Sequence, residues 1–163
     1  MHIHQATTPD DIAIIRTLFQ EYAAWLKVDL CFQHFAEELA SLPGTYAAPK
    51  GRLLLATGAD RPAACIALRP LDDRFGVPAS AGQSACEMKR LYVRPSYRRH
   101  GLARTLAARI ISDARDIGYS RMFLDTLPSM EPAIRLYETL GFVRCPKYYD
   151  TPLQETVFME LVL

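Results

Sequence analysis

Apolar residues recur at helical spacing in four segments of the chain and form runs or alternate with polar residues in seven others. The helical spacing predicts helices with one buried face at residues 9–27, 32–41, 102–117 and 130–140. The runs predict strands at residues 2–6, 52–57, 63–68, 87–93, 122–126, 142–143 and 155–162. The resulting order, β-α-α-β-β-β-α-β-α-β-β, interleaves strands with helices. It therefore predicts an α/β fold with a mixed sheet.

Capping and turn residues support the predicted ends of these elements. Thr8 offers an N-cap hydroxyl just before Pro9, and Pro9 suits the first helical position. Ser129 is expected to cap the last helix, and Gly118 suits the left-handed residue that follows the third. Residues 70–84 are rich in Gly, Pro, Asp and Ser, which predicts a loop.

Length and composition indicate one globular domain, residues 1–163. Half of the 163 residues are hydrophobic and 23% are charged, which is typical of globular proteins. The net charge is +1, so we expect neither nucleic acid nor a membrane as a partner. The chain shows no signal peptide and no apolar run of transmembrane length. Its four scattered cysteines are expected to be reduced thiols, and we expect a cytoplasmic location.

The segment Cys86–Ile110 combines a strand, a basic turn and an amphipathic helix. Gly101 lies directly before this helix, whose first N–H groups have no partner within the helix and whose dipole adds partial positive charge. Such a helix end suits a phosphate group. The arginines expected to surround it are Arg90, Arg94, Arg98, Arg99 and Arg104. Taken alone, the pattern is also typical of a solvated basic turn.

Two motifs resemble those of the GNAT superfamily of acetyl-CoA-dependent N-acetyltransferases. Arg98-x-x-Gly101-x-Ala103 matches the family's Arg/Gln-x-x-Gly-x-Gly/Ala, and residues 133–142 match its A-x-x-L-Y-x-x-x-G-F. The resemblance covers nearly the whole chain and is sharpest over residues 86–142. It implies the GNAT fold, a mixed twisted sheet flanked by helices on both faces, and acetyl-CoA as co-substrate. The residues implied to bind this cofactor are Leu91, Tyr92, Val93, Arg98, Arg99, His100, Gly101, Leu102, Ala103 and Arg104.

The resemblance also implies catalytic roles. Tyr137 is expected to donate a proton to the departing thiolate, since a phenol with a pKa of ~10 stays protonated at neutral pH. The amide of Leu91 is expected to stabilise the oxyanion, at a bulge of the central strand. Glu87 is the candidate general base. The alternatives are a chain of water, or an ion pair of Glu87 with Lys89 or Arg90.

The acceptor is less well defined by the sequence. Met130 stands where the family often has an asparagine that contacts the cofactor. Aromatic and acidic residues predict a pocket for a small, positively charged amine, and the candidates are Trp25, Asp29, Phe32 and Tyr149. Trp25 and Phe32 are alternatively core residues. The histidines show no metal-ligand spacing with the cysteines, so we expect no metal.

The predicted function is the transfer of an acetyl group from acetyl-CoA to a primary amine of a small molecule, by direct attack in a ternary complex. The alternatives are a protein or peptide N-acetyltransferase and a non-catalytic acyl-CoA-binding module. A nucleic-acid binder is a further alternative, against which the near-neutral net charge counts. The sequence does not decide whether the protein forms a homodimer.

Overall fold

The computed structural model describes residues 1–59, 61–71 and 84–163, and its elements follow the predicted order. The helices are α1 (Pro9–Leu26), α2 (Phe35–Ser41), α3 (Leu102–Ile117) and α4 (Glu131–Thr139). The strands are β1 (His2–Gln5), β2 (Arg52–Gly58), β3 (Arg61–Leu71), β4 (Ala85–Val93), β5 (Arg121–Thr126), β6 (Val143–Arg144) and β7 (Val157–Val162). Short 3-10 turns lie at Cys31–Gln33, Gly44–Tyr46 and Pro95–Tyr97. The α/β prediction is confirmed.

All seven strands form one mixed sheet in the order β1-β2-β3-β4-β5-β7-β6. β4 and β5 run parallel, and the other neighbouring strands of the described chain run antiparallel. Parallel strands need a crossover connection, and α3 supplies it between β4 and β5. The parallel pair at the centre of the sheet is therefore flanked by hairpin-like antiparallel strands on both sides.

Helices cover both faces of the sheet, as the resemblance implied. Neighbouring strand residues point to opposite faces, and the described core accordingly has hydrophobic clusters on both. On one face α1 packs through Ile15 and Phe19 against Leu53. On the other face α3 packs through Leu106 against Leu54. In the described part of the chain, no helix combines the length and the apolar character needed to cross a membrane.

Two predicted helix starts are wrong. The helix expected over 32–41 begins at Phe35, because His34 has a left-handed φ of 55° that separates it from the preceding 3-10 turn. α4 has Met130 as its N-cap and no side-chain hydrogen bond there, so Ser129 does not cap it. Of the predicted loop, residues 70–71 belong to β3, and residues 72–83 lie outside the described residues.

β4 carries a bulge at its centre. Its pairing with β3 shifts register between Cys65 and Ala67, where Arg90 and Leu91 together face Ile66. Arg90 has a left-handed φ of 58°. The bulge thus lies next to the residue whose amide was expected to stabilise the oxyanion.

β4 and β5 part from each other just before this bulge. Their pairing joins Ala85–Glu87 to Arg121–Phe123 and ends there, although β4 continues to Val93 and β5 to Thr126. We call the opening between their C-terminal parts the β4–β5 cleft. The carboxyl ends of parallel strands are the usual place for ligands in α/β sheets, so the cleft positions the candidate site.

Candidate active site

The turn before α3 is built to present backbone N–H groups. Gly101 is the N-cap of α3 with a φ of 76°, and α3 has neither a side-chain cap nor an acidic residue in its first turn. α1 differs, because Thr8 and Asp11 close a capping box at its start, which confirms the predicted cap. Arg99 also adopts a left-handed φ, of 63°. The N-terminal N–H groups and dipole of α3 therefore remain available to an anion.

Two of the five arginines expected around this turn are held elsewhere. Arg90 forms a bidentate pair with Glu38 of α2, with N–O distances of 2.9 and 2.6 Å. Arg94 does the same with Glu21 of α1, also at 2.9 and 2.6 Å. The expectation that both surround a phosphate is wrong, because a carboxylate already occupies each guanidinium.

The remaining basic residues lie at the turn itself. Arg98 donates from Nε to the carbonyl of Val93 at 2.8 Å, and its guanidinium lies 4.7 Å from the ring centroid of Trp25. Arg104 donates to Thr139 of α4 at 2.7 Å. The side chains of Arg99, His100 and Arg104 are exposed, so positive charge still faces solvent beside the α3 N-terminus.

Tyr137 of α4 is a buried phenol. Only 8% of the residue is exposed, and its ring packs edge-to-face on Phe142 with centroids 5.8 Å apart. Burial, with smaller contributions from Tyr22 and Asp125, raises the pKa of Tyr137 well above its usual 10.0. The phenol is therefore protonated throughout the neutral range.

Glu87 of β4 is fully buried, and both of its carboxylate oxygens accept hydrogen bonds. The Tyr148 hydroxyl donates to Oε1 at 2.8 Å, and Arg69 Nε donates to Oε2 at 2.7 Å. Lys89 Nζ lies 3.6 Å from Oε1. The structure thus shows the ion pair with Lys89 and adds Arg69. The alternative of an ion pair between Glu87 and Arg90 is wrong, since the Arg90 guanidinium is paired with Glu38.

Sequence reasoning missed Asp125, a carboxylate on β5. Its Oδ1 lies 3.6 Å from Lys89 Nζ, and its Oδ2 accepts from Gln33 Nε2 at 3.5 Å. Tyr149 is also hydrogen-bonded to Asp125. Burial, and to a smaller extent the charge of Asp125, raises the pKa of Tyr22 to about 12. The available signal was a single acid that directly follows the apolar run Met122–Leu124, since such residues need partners when they are buried.

The residues predicted to bind the acceptor are not all brought together. Tyr149 belongs to the group around Asp125. Trp25 is 44% exposed, so the alternative of a core residue is wrong for it. Asp29 accepts a hydrogen bond from the Cys31 amide at 2.9 Å, which occupies it in a local turn. Phe32 lies within the 3-10 turn that follows.

Two cavities share Gln33 and Lys89 as lining residues. The inner cavity opens into the β4–β5 cleft, where Asp125 and Met130 line it. The outer cavity has a volume of about 510 Å³ and lies beside α2 and Tyr149. Gln33 and Lys89 therefore lie between the two cavities.

A larger groove, of about 990 Å³, runs between α4 and residues 144–158 and contains none of the predicted site residues. Over 1–59, 61–71 and 84–163, no cluster of three or more His, Cys, Asp or Glu could hold a metal ion. The candidate site is therefore the β4–β5 cleft, with the turn before α3 and the two cavities.

Known proteins resemble this chain in sequence and in fold. The model of the acetyltransferase (GNAT) family matches residues 13–142. An uncharacterized N-acetyltransferase of Schizosaccharomyces pombe is 40% identical over 154 residues, which cover 94% of this chain and 89% of that protein. The thialysine N-epsilon-acetyltransferase of Caenorhabditis elegans is 43% identical over 60 residues, 37% of this chain and 38% of that protein. The structure of yncA from Salmonella typhimurium with its cofactor acetyl-CoA has a TM-score of 0.64 at 22% identity, covering 99% of this chain and 93% of that one.

The chain belongs to the GNAT acetyltransferase family, whose model spans it from within α1 to the start of β6. It is accordingly an N-acetyltransferase, as the two motifs implied. The seven-stranded mixed sheet with helices on both faces confirms the expected GNAT fold.

Proposed function

We propose that this N-acetyltransferase moves an acetyl group from acetyl-CoA to a primary amine of a small molecule, by direct attack in a ternary complex. The observation that carries the proposal is the inner cavity of the β4–β5 cleft. Two of its lining residues, Tyr22 and Asp125, act electrostatically on the buried phenol of Tyr137. This electrostatic coupling supports a proton donor close to the place where the groups would react.

The turn before α3 fits the phosphates of acetyl-CoA. Gly101 holds a left-handed φ that side chains rarely adopt, and nothing lies within 4 Å of where its Cβ would be, so the backbone is open to a ligand. The N-terminus of α3 and the exposed Arg99 and Arg104 supply positive charge. The amides of Leu91 to Val93 lie on the part of β4 that has no partner in β5. When bound, acetyl-CoA supplies the activated acetyl thioester.

The catalytic residues are assigned as follows. Tyr137 donates its proton to the leaving thiolate, and its raised pKa keeps that proton in place until the thiolate forms. The amide of Leu91, at the bulge, stabilises the oxyanion. For Glu87, the ion pairs with Arg69 and Lys89 support the ion-paired alternative over a general base, because protonation would remove the negative charge that both cations stabilise. The amine nucleophile then becomes neutral either by losing its proton through a chain of water molecules or by binding directly as the free base.

The outer cavity supports a small acceptor. A volume of about 510 Å³ is in the range of small-molecule sites, roughly 300–1,000 Å³. Its lining carries both acidic and basic side chains, Glu37, Glu38 and Asp150 with Arg69 and Lys89. The relative that acetylates the side-chain amine of thialysine supports an amine on a flexible chain. We also propose a cytoplasmic location, which the four unpaired cysteines support.

The test is an acceptor screen that measures free CoA with polyamines, amino acids, aminoglycosides and peptides. We expect release with small primary amines, and initial-rate lines that intersect when acetyl-CoA and amine are both varied. Parallel lines indicate a covalent acetyl-enzyme instead. Release with peptides alone makes the enzyme a peptide acetyltransferase. Binding of CoA without release in any arm indicates a non-catalytic acyl-CoA-binding module.

A further inference from the structure

The side-chain amide of Gln33 has one oxygen without a hydrogen-bond partner. Gln33 Oε1 is inaccessible to solvent, and nothing in the described chain donates a hydrogen bond to it. An unsatisfied buried acceptor costs about 1–3 kcal/mol, and such groups are rare enough in folded proteins to need a physical reason. A ligand that donates an N–H would remove that cost.

The orientation of this amide is determined by its neighbours. Gln33 Nε2 donates to Asp125 Oδ2 at 3.5 Å and to the Tyr149 hydroxyl at 3.3 Å. Turning the amide over would place its oxygen against the Asp125 carboxylate, which has no proton to donate when ionised. Asp125 therefore keeps Nε2 on its own side and leaves Oε1 as the free acceptor.

Gln33 also lies beside both cavities of the candidate site. It lines both the outer cavity and the inner cavity of the β4–β5 cleft. The residue that shares this position, Lys89, carries an ammonium group, which donates hydrogen bonds but accepts none. An incoming amine can donate to Gln33 and cannot donate to Lys89.

We propose that Gln33 is the specificity residue that binds the acceptor's amine nitrogen, its Oε1 accepting an N–H from a primary amine at the junction of the two cavities. Asp125 is a positioning residue, which acts by orienting the amide of Gln33. The rest of the acceptor occupies the outer cavity. This inference rests on the proposed function and names the contact that selects an amine there.

The first test is Gln33→Met, which keeps the side-chain length and removes the acceptor oxygen. With the amine that the wild type acetylates fastest, we expect its KM to rise about tenfold or more. The Kd of acetyl-CoA should change less than about twofold, since Gln33 is not among the residues assigned to the cofactor. Gln20→Met is the matched control, because Gln20 is an exposed glutamine of α1. An unchanged KM in Gln33→Met overturns the proposal.

The second test is Asp125→Asn, which offers a donor where only acceptors stood and so frees the Gln33 amide to turn. We expect the KM of the amine to rise as in Gln33→Met, and the double variant to add little further. A double variant whose KM rises by the product of the two single effects contradicts the positioning role. Thermal unfolding and acetyl-CoA binding of each variant show that it is folded.

Equilibrium binding separates this inference from the proposed function. The probe is 1,5-diaminopentane, titrated by calorimetry into each protein saturated with CoA. A wild type that releases no CoA with any amine contradicts the proposed function, yet diamine binding to wild type and not to Gln33→Met still supports the contact. Equal binding to both proteins, or none to the wild type, overturns it.

Discussion

Tyr137 is the residue that we propose as the proton donor to the leaving thiolate. Its phenol is buried against Phe142, and burial raises its pKa well above 10.0. A raised pKa makes a phenol a weaker acid toward water, but it ensures that the proton is present throughout the neutral range.

Replacing Tyr137 with Phe removes the proton and keeps the ring that packs on Phe142. We expect kcat to fall about 10²- to 10⁴-fold, the usual contribution of a general acid, with little change in acetyl-CoA affinity by calorimetry. Tyr119→Phe is the control, since Tyr119 is a buried tyrosine whose hydroxyl binds the Lys50 carbonyl. An unchanged kcat in Tyr137→Phe removes the assignment as acid.

At the scale of the element, α3 is capped at each end by a glycine, and only the glycine at its N-terminus adjoins the proposed cofactor site. Gly101 at its N-cap and Gly118 at its C-cap have φ of 76° and 98°, and a Cβ on either would meet nothing within 4 Å. A side chain at either position therefore adds the same kind of backbone strain and no clash. The difference is that Gly101 shapes the N–H groups assigned to the phosphates.

Gly101→Ala and Gly118→Ala are thus a matched pair. Each should lower the free energy of unfolding by about 1–2 kcal/mol, the cost of a left-handed alanine, as measured by urea titration. Gly101→Ala should in addition raise the Kd of acetyl-CoA about tenfold, which corresponds to about 1.4 kcal/mol. Equal affinities in the two variants would falsify the role of the turn in cofactor binding.

At the scale of the whole molecule, the buried pair of Arg90 and Glu38 joins the bulge of β4 to α2. Glu38 also accepts a hydrogen bond from Tyr46 at 2.7 Å, and the Arg90 guanidinium lies 5.2 Å from the Phe35 ring centroid. Burial alone would raise the pKa of Glu38, but the hydrogen bonds and charge of Arg90 outweigh it and lower that pKa below 4.5. The helix that lines the outer cavity is thereby fixed to the strand that carries the proposed oxyanion donor.

Glu38→Gln should lower the free energy of unfolding at pH 7 by about 3 kcal/mol, because it leaves a buried guanidinium without its counter-charge. The folded pKa of Glu38 is lowered, so the pair stabilises the protein above pH 4.5 and loses its effect as the pH falls through the folded value. The gap between wild type and variant should therefore narrow in acid. Glu37→Gln, an exposed neighbour on α2, should change stability by less than about 0.5 kcal/mol.

Local pattern alone predicted most of the fold. The periods of 3.6 and 2 residues place α1, α3 and the central strands within a few residues of their observed ends, since both patterns are properties of one segment. The second helix was predicted too long, because no residue pattern in 32–41 predicts the left-handed backbone of His34. The cap of α4 failed for a similar reason, since Ser129 is a good cap by type and the chain enters the helix one residue later.

The sequence by itself determined the class of enzyme and the turn that we propose for the phosphates, because Arg98 to Ala103 and the residues around Tyr137 form contiguous motifs whose geometry is local. Only the tertiary structure showed which arginines near this turn are paired with carboxylates. The sequence shows that Arg90 and Arg94 are basic. It does not show that the carboxylates of Glu38 and Glu21, which lie 52 and 73 residues away, pair with them. Gln33, Asp125 and Tyr149 meet only when the 3-10 turn at Cys31–Gln33, β5 and the β6–β7 loop are folded together. Side-chain hydrogen bonds between distant segments leave no periodic signal in the chain. The cofactor could be inferred from neighbouring residues, whereas the acceptor contact depends on residues that only the fold brings together.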